Sequence, residues 1–154
     1  MQKLNRIIVS LIFTLAVSCL QAQPVFHDTQ GNTITPIQFK DKWVVINYWA
    51  SWCDICLREI PELNNFYRHT KDKNVLMYGV NYDRLPATEL SQAMNMAGIS
   101  YPVFIEDPAK IWGFADADVI PVTYVINPQG KIAKRIVGPT TEMDLNNIIA
   151  FNSF

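Results

Sequence analysis

Residues 43–49 run Trp-Val-Val-Ile-Asn-Tyr-Trp, an almost unbroken apolar series rich in β-branched and aromatic side chains, which predicts a central strand covered on both faces. From Cys56 onward Ile60, Leu63, Phe66 and Tyr67 recur at helical spacing, with Arg58, Glu59, Glu62 and Arg68 on the other side, so a helix opens at the cysteines. Residues 75–80 form a second buried strand, completing a β-α-β unit. Leu90, Ala93, Met94 and Ala97, with Gly98 behind them, predict a helix with a glycine stop. A strand over 101–105 and a short helical turn over 108–114 follow. Residues 122–126 and 131–137 form a hairpin about the turn 127–130, and Thr141 with Asp144 caps a last helix through Ile148 and Ile149. Ahead of all these, turn signals at Asp28, residues 30–32 and Asp41 separate the runs 33–35 and 37–39 into an N-terminal β-hairpin. The expected class is α/β: one domain over residues 23–154, a central mixed β-sheet flanked by helices on both faces, with the hairpin as an extension.

The first segment stands outside this pattern. Lys3 and Arg6 precede an uncharged stretch over 7–20 and then Gln21-Ala22, the plan of an export signal. The stretch is shorter than the ~20 residues that span a bilayer, which favours cleavage after Ala22. Residues 16–19, ending at Cys19, also resemble a lipoprotein processing site, so a lipid or membrane tether through residues 1–22 is the alternative. Export would place the protein in the periplasm or another extracytoplasmic space.

Composition narrows the classes further. The chain has 154 residues, with 13 Lys and Arg against 14 Asp and Glu, a balance without bias toward nucleic acid. Removal of residues 1–22 leaves 11 basic against 14 acidic residues, a mildly acidic surface. Hydrophobic residues make up 49% and charged ones 18%, which excludes a disordered chain. Three cysteines, Cys19, Cys53 and Cys56, are too few for a disulfide-built scaffold, so their meaning is chemical.

Cys53 and Cys56 lie three residues apart at a strand-to-helix junction, on one helix face and within disulfide reach. The unpaired N–H groups and positive dipole end of the helix favour a thiolate at Cys53, making it the attacking sulfur and Cys56 the resolving one. Zinc would need a second half-site, and His27 and His69 lack ligand spacing; no metal site is expected. A purely structural disulfide is a poor alternative, because so short a ring removes little loop entropy. Dithiol exchange passes two electrons without a cofactor.

Residues 44–56, Val-Val-Ile-Asn-Tyr-Trp-Ala-Ser-Trp-Cys-Asp-Ile-Cys, followed by Glu59, Pro61 and Leu63, resemble the thioredoxin superfamily, and within it the TlpA/ResA/DsbE-like extracytoplasmic thiol–disulfide oxidoreductases. Residues 119–127 with Gly130 and Ile132 resemble the stretch in which that family places a cis-proline, so the likeness runs from about residue 25 to the end. It implies that Pro121 is cis and that the Ile120 backbone pairs with an extended substrate. It also implies disulfide-containing exported proteins as substrates, apocytochrome c among them, and a membrane thiol donor of the DsbD type as the source of electrons. A redox-inert adaptor of the same fold and a disulfide oxidase or isomerase are the competing readings. A copper chaperone of the fold would space its cysteines one residue further apart, and a peroxiredoxin would carry Thr where this chain has Ala50.

The neighbouring residues divide by role. Trp49 is expected in the core, whereas Trp52 and Ile55 are expected to form an apolar rim around Cys53. Asn47 stands where cytoplasmic thioredoxins carry a buried acid. Glu59 either takes over the proton of the resolving thiol or only decorates the solvated face. Pro61 should bend the helix, and both histidines should be exposed. Asp54, between the thiols, should disfavour the Cys53 thiolate and so lower the reduction potential, the mark of an electron donor. Docking specificity is expected in the loops over 81–86 and 106–114.

Overall fold

The computed structural model describes residues 24–114 and 117–151; the signal or tether assigned to residues 1–22, with Cys19, lies outside them. The elements follow in the order β1 (Phe26–His27), β2 (Thr33–Ile34), a 3-10 turn (Pro36–Phe39), β3 (Trp43–Trp49), α1 (Asp54–Thr70), β4 (Val75–Asn81), α2 (Ala87–Ala97), β5 (Val103–Phe104), a 3-10 turn (Ala109–Ile111), β6 (Val122–Ile126), β7 (Ile132–Val137) and α3 (Glu142–Phe151). The main sheet has the order β5-β4-β3-β6-β7. β3 pairs in parallel with β4, and β4 with β5, while β6 runs antiparallel to both β3 and β7.

β3 is buried at all seven positions, as its sequence requires of a strand covered on both sides. Alternation splits its side chains between two cores. Trp43, Val45 and Trp49 join Cys56, Ile60, Leu63 and Phe66 of α1, Leu90 and Ala93 of α2, and Leu145 of α3. Val44, Ile46 and Tyr48 join Phe26, Ile34, Phe39, Phe104 and Tyr124 on the other side. All three α-helices therefore contribute to one face, where both faces were expected to carry helices. The strand order explains it: β3, β4 and β5 step in one direction, and right-handed crossovers then put α1 and α2 on the same side. The N-terminal hairpin and the first 3-10 turn cover the opposite face.

The hairpin itself is shorter than expected. β1 and β2 pair over two residues each, around a turn held by Asp28, whose carboxylate accepts the Gln30 and Asn32 N–H groups at 2.9 Å each. Residues 37–39, read as strand, belong to the 3-10 turn, because Pro36 fixes the helical φ at its first position and Gln38 Oε1 accepts the Thr35 N–H at 2.8 Å. The hairpin docks on β5, with Ile105 N–H donating to the His27 carbonyl and Thr29 N–H to that of Val103.

Two glycines have structural reasons. Gly98 ends α2 in the left-handed conformation, φ 71°. Gly79 lies in β4 where an added Cβ would sit 2.9 Å from Val103 Cγ2 and 3.1 Å from Tyr101 Cε2. Among the described residues no helix is long and apolar enough to cross a membrane.

Candidate active site

β3 delivers the chain to a turn at residues 50–52, closed by Cys53 N–H donating to the Ala50 carbonyl at 3.2 Å. Cys53 is the N-cap of α1, with extended backbone, and its Sγ accepts the Cys56 N–H at 3.3 Å, a donor that the helix itself leaves unpaired. The two sulfurs form a disulfide across a Cα separation of 5.2 Å. Their exposures differ: Cys53 keeps 9% and Cys56 none. An incoming thiolate therefore meets Cys53 first.

Around Cys53 the surface is apolar. Trp52 is 62% exposed and Ile55 is also exposed. Trp52 is held rather than free: its indole N–H donates to Asp83 Oδ2 at 2.9 Å, and its ring meets Tyr82 edge-on at 6.3 Å. Trp49 is fully buried. The Ile120–Pro121 bond is cis. Val122 opens β6 opposite Tyr48 of β3, so the cis bond lies at the end of the sheet from which β3 runs toward Cys53. Asp54 is exposed in the first turn of α1, and Pro61 stands within that helix. His27 and His69 are exposed, each within hydrogen-bond reach of a glutamate, Glu106 and Glu142.

Glu59 overturns the surface alternative. It is 3% exposed, one turn past Cys56. Asn47 Nδ2 donates to its Oε1 at 2.8 Å and the Thr140 N–H to its Oε2 at 2.8 Å. Asn47 Nδ2 also donates to Thr123 Oγ1 at 3.0 Å. Burial pushes the Glu59 carboxyl up to about 7, against the pull of the Thr140 and Asn47 donors. The buried acid of this face comes from the helix, and Asn47 on the strand donates to it. Tyr101, fully buried, has its hydroxyl raised by that burial and secondarily by Glu59. Thr123, Thr140 and Tyr101 escaped sequence reasoning. Thr123 could have been found as the strand position facing Asn47, but nothing local marks Thr140 or Tyr101.

Cys53, which keeps a little exposure, is thus bonded to a wholly buried Cys56, one turn before a carboxyl that burial pushes up to about 7. A family model described as the AhpC/TSA family matches residues 14–135. Thiol-disulfide oxidoreductase ResA of Bacillus subtilis is 32% identical over 118 residues, 77% of this chain and 65% of that protein, so the chain spans slightly less than two thirds of its length. Among solved structures, a DsbF homologue from Corynebacterium diphtheriae is 26% identical at a TM-score of 0.69, covering 84% of each chain. StoA from Bacillus subtilis shares the fold at a TM-score of 0.67 and 21% identity, covering 84% of this chain and 97% of that one. The chain belongs to the AhpC/TSA family and has its thioredoxin-like fold.

Proposed function

We propose that this AhpC/TSA-family chain is a thiol–disulfide oxidoreductase that reduces disulfides in exported proteins, with Cys53 attacking and Cys56 resolving. The observation that carries the reading is the pair itself, an accessible Cys53 at a helix N-cap bonded to a buried Cys56, with the Glu59 carboxyl one turn further on. In the reduced protein the Cys53 thiolate attacks one substrate sulfur, forming a mixed disulfide and releasing the other sulfur as a thiolate that takes up a proton. Cys56 then gives its proton to Glu59 and attacks Cys53 Sγ. The second substrate sulfur leaves as a thiolate and receives the remaining proton. Two electrons and two protons have passed to the substrate, and the protein is left with its disulfide closed.

Glu59 suits this step because a carboxyl titrating near 7 both accepts and returns a proton at neutral pH. Ile120 and Pro121 offer backbone to an extended substrate chain, and Trp52 and Ile55 offer it an apolar surface. The donor direction follows from charge: carboxylates at Asp54 and Glu59 disfavour a thiolate nearby, which favours the disulfide and lowers the reduction potential. Residues 1–22 direct or tether the protein outside the cytoplasm, where a membrane thiol donor of the DsbD type returns it to the dithiol. Apocytochrome c is one substrate of the required kind.

The test is trapping. Cys56→Ala should accumulate covalent substrate complexes through Cys53, whereas Cys53→Ala should accumulate none; equal trapping by both would overturn the assignment. A reduction potential near the roughly −120 mV of a strong oxidant would overturn the donor direction.

A further inference from the structure

Asn47 lies at the centre of the buried network, and only one end of its amide is matched. The residue is wholly buried, as is Thr123, its register partner on β6. Asn47 Nδ2 donates to Glu59 Oε1 at 2.8 Å and to Thr123 Oγ1 at 3.0 Å. Its Oδ1 has no partner among the described residues. A buried acceptor without a donor is costly, so a side chain that keeps one calls for a cause.

Glu59 supplies that cause. The Thr140 backbone N–H, which can only donate, holds Glu59 Oε2 as an acceptor at 2.8 Å. When the carboxyl takes up a proton, Oε1 is the oxygen left to carry it. The Oε1–H group then meets the Asn47 amide nitrogen, donor against donor. A 180° flip of the amide removes the collision: Oδ1 accepts from Glu59 Oε1–H, and Thr123, whose hydroxyl both accepts and donates, directs its own O–H to the same oxygen. Nδ2 becomes the unmatched end. Each orientation has two hydrogen bonds and one bare atom, so the amide by itself prefers neither and the Glu59 proton decides.

The surroundings leave that decision to Glu59. Burial and the Thr140 and Asn47 donors act on its carboxyl, and among the described residues no charged group adds to them. The titratable groups that face it are Cys56, one turn earlier on α1, and Tyr101 from the segment ahead of β5. The hydroxyls of Tyr101 and Thr140, both buried and unpartnered, are the competing acceptors for Oε1–H.

We infer that Asn47 is a positioning residue with two working orientations: amide nitrogen toward Glu59 when the carboxylate is ionised, amide oxygen toward it when the carboxyl holds the proton taken from Cys56. Thr123 reverses its hydrogen-bond role at each change. The place of the flip in the exchange cycle rests on the function proposed above, whereas the flip itself belongs to the folded, oxidised protein.

NMR of the oxidised full chain tests it, at about pH 5 and pH 9, on either side of the Glu59 titration near 7. Nuclear Overhauser effects between the Asn47 side-chain amide protons and Thr123 should be strong at the higher pH and severalfold weaker at the lower. Glu59→Gln should fix the second state, because its amide offers N–H where the protonated carboxyl offers O–H, and a carbonyl to Thr140. In that variant the weak effects should hold at both pH values. Unchanged effects across the wild-type titration, as expected if Tyr101 or Thr140 takes the Oε1–H, or strong effects in Glu59→Gln, would overturn the two orientations. Asn47→Leu, similar in shape but without polar ends, should slow the resolving step about tenfold in stopped-flow kinetics at neutral pH, the worth of one hydrogen bond. An unchanged rate would overturn the positioning role. Failure of the wild type to reduce 2-hydroxyethyl disulfide would instead overturn the exchange reading, and the NMR measurement would still judge the flip.

Discussion

Behind β3, on the side of Val44, Ile46 and Tyr48, the interior is made of rings. Phe114 stacks on Tyr124 at 4.1 Å, Tyr78 leans on Phe104 at 4.5 Å, and Phe26 and Phe39 meet Phe104 at 6.0 and 6.5 Å. In front of the same strand, on the side of Trp43, Val45 and Trp49, the helices bury Asn47, Glu59, Thr123 and Thr140 together with Cys56. One strand therefore separates a side built mainly of packed rings from a side that accepts the cost of a carboxyl enclosed near the disulfide. The difference teaches where the chemistry sits. Asn47, Glu59, Thr123 and Thr140 gather on the face that carries the disulfide, whereas the buried Asp28 carboxylate of the other face closes the hairpin turn and takes no part in that network.

The largest expected effect tests the side of packed rings. Phe104→Ala removes a ring that is almost wholly buried and should destabilise the fold by about 3–5 kcal/mol in denaturant unfolding. The reduction potential of the remaining folded protein should not move; if it did, the two faces would not be separable.

A smaller effect distinguishes the front face. The folded state raises the Glu59 carboxyl from 4.5 to about 7, so it favours the protonated form. Its contribution to stability is complete below about 4.5 and is lost as pH rises through 7, a change of about 3 kcal/mol. Glu59→Gln cannot titrate, so its stability relative to wild type should rise by about that amount between these pH values. Chemical unfolding of the oxidised proteins across that range checks the sign, and a flat difference would return Glu59 to a structural role. The same variant should slow the resolving step and erase its dependence on a group near 7, read in stopped-flow kinetics.

The smallest effect sharpens the boundary of the network. Thr141 caps α3: its Oγ1 accepts the Asp144 N–H at 3.2 Å, while Asp144 Oδ2 accepts the Thr141 N–H at 3.1 Å. Thr141→Ala should cost about 1 kcal/mol in thermal unfolding. The neighbouring Thr140 N–H is the bond that reaches Glu59, so the Glu59-dependent step in the pH profile should stay in place. A shift in that step would extend the network to the cap.

Some features were legible because their causes are local. The continuous apolar run made β3 recognisable, the helical spacing from Ile60 to Phe66 made α1 recognisable, and Gly98 marked the end of α2. Thr141 and Asp144 announced α3 by a pattern four residues long. Residues 37–39 were misread because their alternation suits a strand, and the Pro36 and Gln38 contacts prevail over it. Glu59 resisted reading for a different reason: its sequence neighbours Arg58 and Glu62 place it on a polar stretch of helix.

The amino-acid order alone determined that two thiols would stand at a strand-to-helix junction, since periodicity and spacing act over a few residues. Only the tertiary structure decided which carboxyl lies beside them. Glu59 is enclosed by donors from Asn47 and Thr140, 12 and 81 positions away, and burial by elements so distant in the chain leaves no local trace.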